Sequence, residues 1–382
     1  MGTLCLDLCP RLCPGTLPSR RSSCSIRRMN KELLRLNEDP EAAAAAAGLC
    51  YVHDDQPGIR RKRWGRGFTY LDPQGNHIKD PEERQRFAEL AIPPAWSDVW
   101  ISPDEKGHIQ ATGRDDKDRK QYIYHPCWQE LRNETKFNRM LLLGEALPRL
   151  RAQIDEDLRK RGTPRERVVA AVVRLLQETL IRVGNAEYAR ENNSYGLTTM
   201  RTKHLDLEGT KLHFEFRGKS GKMQRVDVRD PRVARVVKQC QELPGYELFQ
   251  YVDEAGERHR IESGDVNDYV RAATGENFTA KDFRTWGGTV HAVRALQQLG
   301  PCEAEDQADK NIVKLFEMVA AELGNTPAVC RRYYVHPAIP AACREGSFFD
   351  YCAEVEGQAE DEWLEPEEQI ALLILRRALE DA

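Results

Sequence analysis

The stretch TPRERVVAAVVRLLQETLIRVGN, residues 163–185, contains the clearest helical pattern in the chain. Its apolar residues recur at helical spacing from Val168 to Leu180, as on the buried face of an amphipathic helix. Thr163 and Glu166 have the spacing of a capping box, and the proline that follows Thr163 suits the first helical position. The pattern predicts a helix that starts at this cap and closes at the arginine of RVGN.

A β-hairpin is predicted after this helix. Apolar and polar residues alternate from Leu212 to Phe216 and again on the return strand, and the connection GKSGK, residues 218–222, puts lysines at the hairpin tip. An apolar helical period also runs over 143–158, where Pro148 predicts a kink or a restart. Further helices are predicted at 231–242, 264–273, 280–299, 306–323 and from 326 to about 337.

The N-terminal part of the chain has a different pattern. Turn sequences alternate with short β-rich segments between residues 50 and 123, which predicts a small β-rich domain. A polar helix is predicted before it, over 30–48, and the charged run 114–120 is interpreted as a hinge. The predicted fold class is α+β, with a small β-rich N-terminal domain and a larger, mostly α-helical domain that contains a β-hairpin. The predicted organisation is a disordered extension at 1–29, the β-rich domain at 30–125, the helical domain at 126–345 and an acidic C-terminal tail at 346–382.

Composition and charge exclude some classes of protein. The 382 residues are 40% hydrophobic and 31% charged, which is typical of a globular chain. The aliphatic run Ile370–Leu375 is far shorter than the ~18 residues that span a bilayer, so no membrane role is expected. Residues 1–343 carry a net charge of +5 and residues 344–382 a net charge of −9, which predicts a body that meets a polyanion and a solvated acidic tail. The 11 cysteines form no regular framework, so we predict a reducing compartment and no structural zinc.

The N-terminal extension has an unusual composition. Residues 1–28 contain five arginines, one acid and four serines, which weakly resembles a transit peptide. A disordered extension, or a true start at Met29, explains the same composition, and we favour these interpretations.

Chemistry is confined to basic, amide and phenolic groups. The sequence has no glycine-rich nucleotide loop in the right context, no HExxH, no GxSxG and no acidic cluster spaced for magnesium. Five short motifs remain. They are Arg182 in RVGN, Lys219 after the first hairpin glycine, Arg284 in KDFRT, Asn325 in GNTP, and Tyr334 nine residues later.

Together and in this order, the five motifs resemble those of the small type IB DNA topoisomerases of poxviruses and bacteria, over about residues 30–345. The resemblance implies a metal-free and ATP-free transesterification. A tyrosine attacks a DNA phosphodiester, forms a 3′-phosphotyrosyl link and expels a 5′-hydroxyl; rotation of the free end releases supercoils before religation. It also implies the fold shared with tyrosine recombinases, double-stranded DNA as the partner, no cofactor, a monomer, and a cytoplasmic, nucleoid-associated location.

The resemblance also implies a role for each residue. Tyr334 is the nucleophile, Arg182 and Arg284 clamp the phosphate, and Lys219 is the general acid. Asn325 stands where many relatives have a histidine that hydrogen-bonds a phosphate oxygen; an amide can still donate there but carries no charge. These residue types suit the reaction, because guanidinium groups bind the charge that develops on phosphate oxygens, and a positioned acid helps an alkoxide to leave.

Two of these assignments have competitors. Tyr333 is adjacent to Tyr334; the nine-residue step from Asn325 favours Tyr334, because it matches the step from histidine to tyrosine in the family. Lys222 competes with Lys219, which directly follows the glycine as in relatives.

Two further segments are predicted to contact DNA. The run RRKRWGR, residues 60–66, is densely basic and favours phosphate contact over a charged loop. The stretch QYIY, residues 121–124, is similar to one that contacts DNA near the cleavage site in the family, although its tyrosines are equally compatible with one strand face packed on a core. The two domains are expected to close around a duplex. The predicted DNA-contacting residues are Arg60, Arg61, Lys62, Arg63, Trp64, Arg66, Gln121, Tyr122 and Tyr124.

A tyrosine recombinase is the main alternative, because it shares the catalytic fold and the tyrosine chemistry. Recombinases usually have His-x-x-Arg where this chain has KDFR, residues 281–284, and they usually begin with a helical DNA-binding domain. A non-catalytic DNA-binding protein on the same fold is a third hypothesis, and the complete set of five motifs argues against it.

Overall fold

A computed structural model of the chain describes residues 39–302, 305–358 and 361–380. The described residues form two compact units, and the division falls after Arg139, inside a long helix. The predicted extension at 1–29 and most of the predicted helix at 30–48 lie outside the described residues; the remainder of that helix is present as Pro40–Ala46.

The first unit is built on a five-stranded antiparallel sheet with strand order β2-β1-β3-β4-β5. Its predicted β-rich character is confirmed. Its elements are α1 (Pro40–Ala46), β1 (Ile59–Trp64), β2 (Gly67–Leu71), α2 (Pro81–Glu89), β3 (Ser97–Ile101), β4 (Ile109–Arg114) and β5 (Lys120–Tyr124).

One face of this sheet is covered and forms a core. Ile59, Ile101, Ala111 and Ile123 lie directly opposite one another across β1, β3, β4 and β5, and Phe87 of α2 is buried in the same cluster. Because side chains alternate between the two faces of a strand, the residues between these positions lie on the opposite face.

The charged run 114–120 is not a hinge. It forms the tight connection between β4 and β5 within the first unit, where Arg114 is paired with Lys120 in the ladder. The Asp115 side chain accepts hydrogen bonds from the backbone N–H groups of Lys117 and Arg119, which closes the turn. Runs of charge look alike in a hinge and in an exposed turn, since both are solvated.

The second unit is mostly helical and has two small antiparallel sheets. The long helix α3 enters it from the first unit. The elements are α3 (Pro126–Leu158), α4 (Arg165–Thr179), α5 (Ala186–Asn192), β6 (Leu205–Glu208), β7 (Lys211–Arg217), β8 (Met223–Arg229), α6 (Pro231–Glu242), β9 (Gln250–Val252), β10 (Arg258–Arg260), α7 (Ser263–Thr274), α8 (Ala280–Leu299), α9 (Glu305–Leu323), α10 (Pro327–Tyr333), α11 (Ala338–Arg344), α12 (Phe348–Glu356) and α13 (Pro366–Glu380).

The predicted hairpin is confirmed as β7 and β8, and β6 adds a third strand beside β7. Leu212, Phe214 and Phe216 are buried, as their alternation predicts. The helix predicted from residue 163 begins only at Arg165, and no side chain caps it. Pro148 lies inside one helix, α3, so the predicted restart there is wrong.

The acidic C-terminal segment is not a solvated tail in the residues described. Helices α12 and α13 place Phe348, Ile370 and Leu375 in the core of the second unit. The buried Glu368 carboxylate lies 2.6 Å from the guanidinium of Arg151. Burial acts to raise the pKa of Glu368, but hydrogen bonds and charge from Arg151 outweigh it and hold that pKa below its usual value. A net acidic composition therefore hides an apolar helix face.

Candidate active site

Arg284 lies on α8 and joins two separate segments of the second unit. The residue is only 7% exposed. The guanidinium donates to the backbone carbonyls of Leu180 and Leu323, the latter at 2.8 Å. Burial lowers the pKa of Arg284, the positive charge of Arg182 adds to this, and Tyr334 acts in the opposite direction. Arg284 thus lies close to both of these side chains.

Arg182 follows the C-terminus of α4, and its backbone is tightly held. Leu180 ends the helix in the left-handed conformation, with φ of 52°, which is strained for a side chain of this size. The Arg182 carbonyl accepts a hydrogen bond of 2.9 Å from the N–H of Leu197. A Cβ atom at Gly196 would lie 2.3 Å from the same carbonyl, so only glycine allows this approach. Gly184, the glycine of RVGN, has a φ of +98°, a backbone conformation that favours glycine.

Asn325 lies between α9 and α10 and contacts Arg182 directly. Its Oδ1 accepts a hydrogen bond of 3.2 Å from Arg182 Nη2. This bond fixes the orientation of the amide, because a flipped amide would turn its NH₂ group toward a guanidinium. The Asn325 Nδ2 donor is buried and has no acceptor among the residues that the structure describes. The residue therefore presents an unused donor beside an arginine.

The hairpin tip lines the same cavity, of about 190 Å³, as Arg182 and Asn325. Lys219 lies in a short helical turn at the tip and is exposed, and Lys222 follows it. Both lysines line the cavity, so the geometry does not separate the two candidates for the general acid. The residues lining the cavity are Arg182, Lys219, Lys222, Gly324, Asn325, Thr326 and Val329.

The two adjacent tyrosines have different surroundings. Tyr334 caps the C-terminus of α10 and is half-buried, with its ring centroid 5.4 Å from the Arg284 guanidinium carbon. Tyr333 is 39% exposed, and its ring lies beside Arg332, at 5.3 Å. Tyr334 is thus the tyrosine whose ring lies beside Arg284.

Two other residues near these motifs have packing roles. Cys330, one turn before Tyr334, is fully buried, and burial raises the pKa of its thiol to about 11. His291, on α8, lies 4.0 Å from Glu322, and burial lowers its pKa. Both agree with the sequence interpretation of packing side chains.

The candidate DNA-contacting residues of the first unit divide between the two faces of its sheet. Arg60 lies opposite Trp100, Trp100 opposite Thr112, and Thr112 opposite Tyr122. This row marks the face of the sheet that points away from the Ile101 core. We call it the open face, although Trp100 and Thr112 are buried on it and only Arg60 and Tyr122 of this row are exposed. By strand alternation the open face also carries Lys62, Trp64 and Tyr124.

Arg61 corrects the prediction for the basic run. It lies on the core side of β1, where its guanidinium donates to the carbonyls of Ile92, Pro93 and Trp96 at 2.8–3.0 Å. Burial lowers the pKa of Arg61. Arg61 is therefore a structural tie between β1 and the loop at 92–96, and we remove it from the DNA-contacting set.

The other predicted residues of this set have distinct places. Gln121 points to the same side as Arg61 and donates to Asp115 at 3.0 Å. Arg63 is exposed, and Arg66 is exposed in the tight turn between β1 and β2. Tyr122 and Tyr124 stack on each other at 5.8 Å. Tyr124 packs partly on the small hydrophobic cluster that includes Trp128, so this tyrosine also contributes to a core.

Three side chains close enough together to share a metal ion lie elsewhere in the part of the second unit that the structure describes. Asp253, Glu257 and His259 lie together at the turn between β9 and β10, and two of the three are exposed. None of them belongs to the set around Arg284.

Sequence reasoning missed the residues of α8 that bring these segments together. A Cβ atom at Gly287 would lie 2.4 Å from the Leu180 side chain, and one at Gly288 would lie 2.5 Å from the Tyr334 carbonyl oxygen. The available signal was the pair of glycines inside a helical pattern, since glycine in a helix interior usually has a packing reason.

Comparison with known proteins is consistent with this geometry. Residues 125–340 match the family model of the catalytic core of eukaryotic DNA topoisomerase I, and residues 67–115 match the N-terminal domain of bacterial DNA topoisomerase IB. The chain is 32% identical over 286 residues to the DNA topoisomerase 1B of Acanthamoeba polyphaga mimivirus, covering 73% of this chain and 85% of that protein. It is 24% identical over 245 residues to the DNA topoisomerase 1B of Vaccinia virus (strain Copenhagen), covering 62% and 73% of the two chains. These matches favour a topoisomerase over a recombinase or a non-catalytic DNA-binding protein, and the chain belongs to the type IB DNA topoisomerase family.

Proposed function

We propose that this chain relaxes supercoiled duplex DNA through a covalent bond between Tyr334 and a DNA phosphate. The observation that carries the proposal is a pair of buried donors without acceptors. Among the described residues, five buried side-chain donors lack a hydrogen-bond partner, and two of them, Arg284 Nε and Asn325 Nδ2, belong to this site. An unsatisfied buried donor costs about 1–3 kcal/mol, so the site favours a ligand that supplies acceptor oxygens. A phosphodiester supplies two such oxygens and a negative charge.

The charges of the site suit the reaction. Arg182 and Arg284 bind the non-bridging oxygens, where negative charge builds up as the tyrosine attacks. Asn325 donates through Nδ2 and contributes no charge, so the two arginines carry the electrostatic stabilisation. The guanidinium of Arg284 lies 5.4 Å from the centre of the Tyr334 ring, so its positive charge lies beside the attacking side chain.

The proposed reaction exchanges one ester for another. A bond forms from the Tyr334 hydroxyl oxygen to phosphorus, and the bond from phosphorus to the 5′ oxygen breaks. The tyrosine loses its proton to the surroundings, and Lys219 gives a proton to the departing 5′ oxygen; Lys222 is the alternative donor, since it lines the same cavity. Religation reverses these steps, so the exchange needs no external energy source.

Duplex DNA is also proposed to meet the open face of the first unit. Lys62 and Trp64 are exposed there, with Trp64 at 64%, and such a face offers phosphate contacts and an aromatic surface. We further propose a monomer, a nucleoid-associated location, and the domain arrangement of tyrosine recombinases for the helical part. None of the helices in the described residues is long and apolar enough to cross a membrane.

Relaxation of supercoiled plasmid tests the proposal. The wild-type chain should relax both supercoil signs in EDTA without ATP, and detergent should trap a covalent protein–DNA adduct. Tyr334→Phe should bind DNA but give neither product, whereas Tyr333→Phe should retain substantial activity. Strict dependence on magnesium, or an adduct that survives Tyr334→Phe, would refute the mechanism.

A further inference from the structure

The helix that carries Arg284 contains two adjacent glycines, Gly287 and Gly288. Both lie in the interior of α8 and are buried. A glycine in a helix interior costs about 1 kcal/mol relative to alanine, so a structural reason is expected for each. The reason at Gly288 concerns the backbone of the reacting tyrosine.

Gly288 is in direct contact with Tyr334. A Cβ atom at Gly288 would lie 2.5 Å from the Tyr334 carbonyl oxygen and 3.1 Å from the Tyr334 Cβ. The obstructing oxygen belongs to the backbone, so it cannot turn aside as a flexible side chain can. To reach the 3.4 Å of ordinary contact, the two segments would have to separate by about 0.9 Å.

Thr289 holds the same segment from the next position of α8. Its buried Oγ1 accepts a hydrogen bond of 3.1 Å from the N–H of His336 and donates to the Thr285 carbonyl at 2.9 Å. The hydroxyl thus ties the backbone two residues after Tyr334 to the backbone of α8. The tyrosine is fixed by a close contact at its carbonyl and by a hydrogen bond just beyond it.

The same helix fixes Arg284 one turn earlier. Because Arg284, Gly288 and Thr289 belong to one continuous helix, the contacts at Gly288 and Thr289 set the position of the tyrosine relative to the guanidinium of Arg284, 5.4 Å from its ring. Neither residue has a side-chain group that reaches the phosphate in the reaction proposed above. Their effect on the chemistry is geometric.

We propose that Gly288 and Thr289 are positioning residues that place the Tyr334 hydroxyl for in-line attack, a role that rests on the proposed function of Tyr334 as nucleophile. Alanine at 288 shifts the nucleophile by about 1 Å, and a misplacement of this size can cost ~10²-fold in rate. Loss of the Thr289 hydroxyl removes its hydrogen bond with the His336 N–H and so weakens the tie between this segment and α8.

Single-turnover cleavage measures this effect. The substrate is a duplex whose short leaving strand dissociates after cleavage, so that the rate constant and the final amount of covalent adduct are read separately. For Gly288→Ala we expect a rate constant lower by ~10²-fold, with the final adduct amount and the affinity for DNA close to wild type. Gly264→Ala is the matched control, because among the described residues no atom of another segment lies within 4 Å of the Cβ position of that helical glycine. This variant should cleave at the wild-type rate.

A second pair of variants separates positioning from folding. Thr289→Val keeps the shape and removes the hydroxyl, and we expect cleavage roughly tenfold slower. Thr289→Ser keeps the hydroxyl and should restore most of the rate. If Gly288→Ala fails to fold, this pair decides the question by itself.

The outcomes distinguish this inference from the proposed function. If Tyr334→Phe still forms the adduct, the proposed function is wrong. If Tyr334→Phe is inactive while Gly288→Ala and Thr289→Val cleave at the wild-type rate, only the positioning role is wrong. A reduced final adduct amount at an unchanged rate constant would also overturn the positioning role, since it would mean that these residues serve folding alone.

Discussion

Replacing Asn325 tests how the site binds the phosphate. In the structure its Oδ1 accepts from Arg182 Nη2 at 3.2 Å, while its buried Nδ2 has no acceptor in the described part of the chain. We assign the free donor to a phosphate oxygen in the transition state. Removal of one such donor from a preorganised site costs ~10²–10³ in rate, so Asn325→Ala should slow cleavage by that factor.

The isosteric variant Asn325→Asp gives a sharper result. It keeps the acceptor for Arg182 but replaces the donor by a charged acceptor beside the phosphate. Two like charges about 4 Å apart repel by ~4 kcal/mol at an effective dielectric constant of 20, which Arg182 offsets in part. Each ~1.4 kcal/mol added to the barrier lowers the rate tenfold. Asn325→Asp should therefore cleave at most as fast as Asn325→Ala, and up to ~10³-fold more slowly than Asn325→Ala.

Single-turnover cleavage near neutral pH, with DNA affinity measured in parallel, provides the assay. We expect the order wild type, Asn325→Ala, Asn325→Asp in falling rate constant, with a smaller effect on noncovalent binding. If Asn325→Asp cleaves as fast as wild type, the amide does not donate to the phosphate, and the assignment of its free N–H group is refuted.

Three further predictions follow from particular contacts. Lys219→Ala should slow cleavage strongly, and a substrate with a sulfur leaving group, which departs without a proton, should restore the rate. If the sulfur substrate rescues Lys222→Ala and not Lys219→Ala, Lys222 is the general acid. Lys62→Ala should weaken binding to all DNA sequences and flatten the salt dependence of binding by up to ~0.9 log unit. Arg61→Ala should instead lower the melting temperature and leave the salt slope of the wild type unchanged. If the two variants have equal salt slopes, the assignment of Lys62 and Arg61 to different faces of the sheet is wrong. The pKa of Glu368 is depressed in the folded protein, so its contribution to stability is present above its unfolded pKa, ~4.3, and is lost as the pH falls through the lower folded value. Melting curves should therefore show wild type losing more stability in acid than Glu368→Gln, and parallel losses would contradict the assignment.

Local patterns were sufficient for much of the fold. The helix Pro231–Glu242 and the helix Ala280–Leu299 occur at the predicted residues, and the alternation from Leu212 to Phe216 correctly predicted a half-buried strand. Such periods follow from the 3.6-residue and two-residue repeats of the backbone, which depend only on neighbouring residues. Composition was a poorer guide, because the acidic tail contains an apolar stripe, and net charge does not reveal which face of a helix is buried.

The sequence alone determined the family, through five short motifs and their order, and it selected the residues that the fold brings together. Only the tertiary structure decided their surroundings. Arg284 binds a carbonyl 104 residues away, and Arg182 meets Asn325 across 143 residues. The structural use of Arg61 and the contact of Gly288 with the tyrosine backbone depend in the same way on how distant segments pack. Contacts between residues so far apart in sequence depend on the shape and burial of whole helices. They cannot be inferred from a local pattern of side chains.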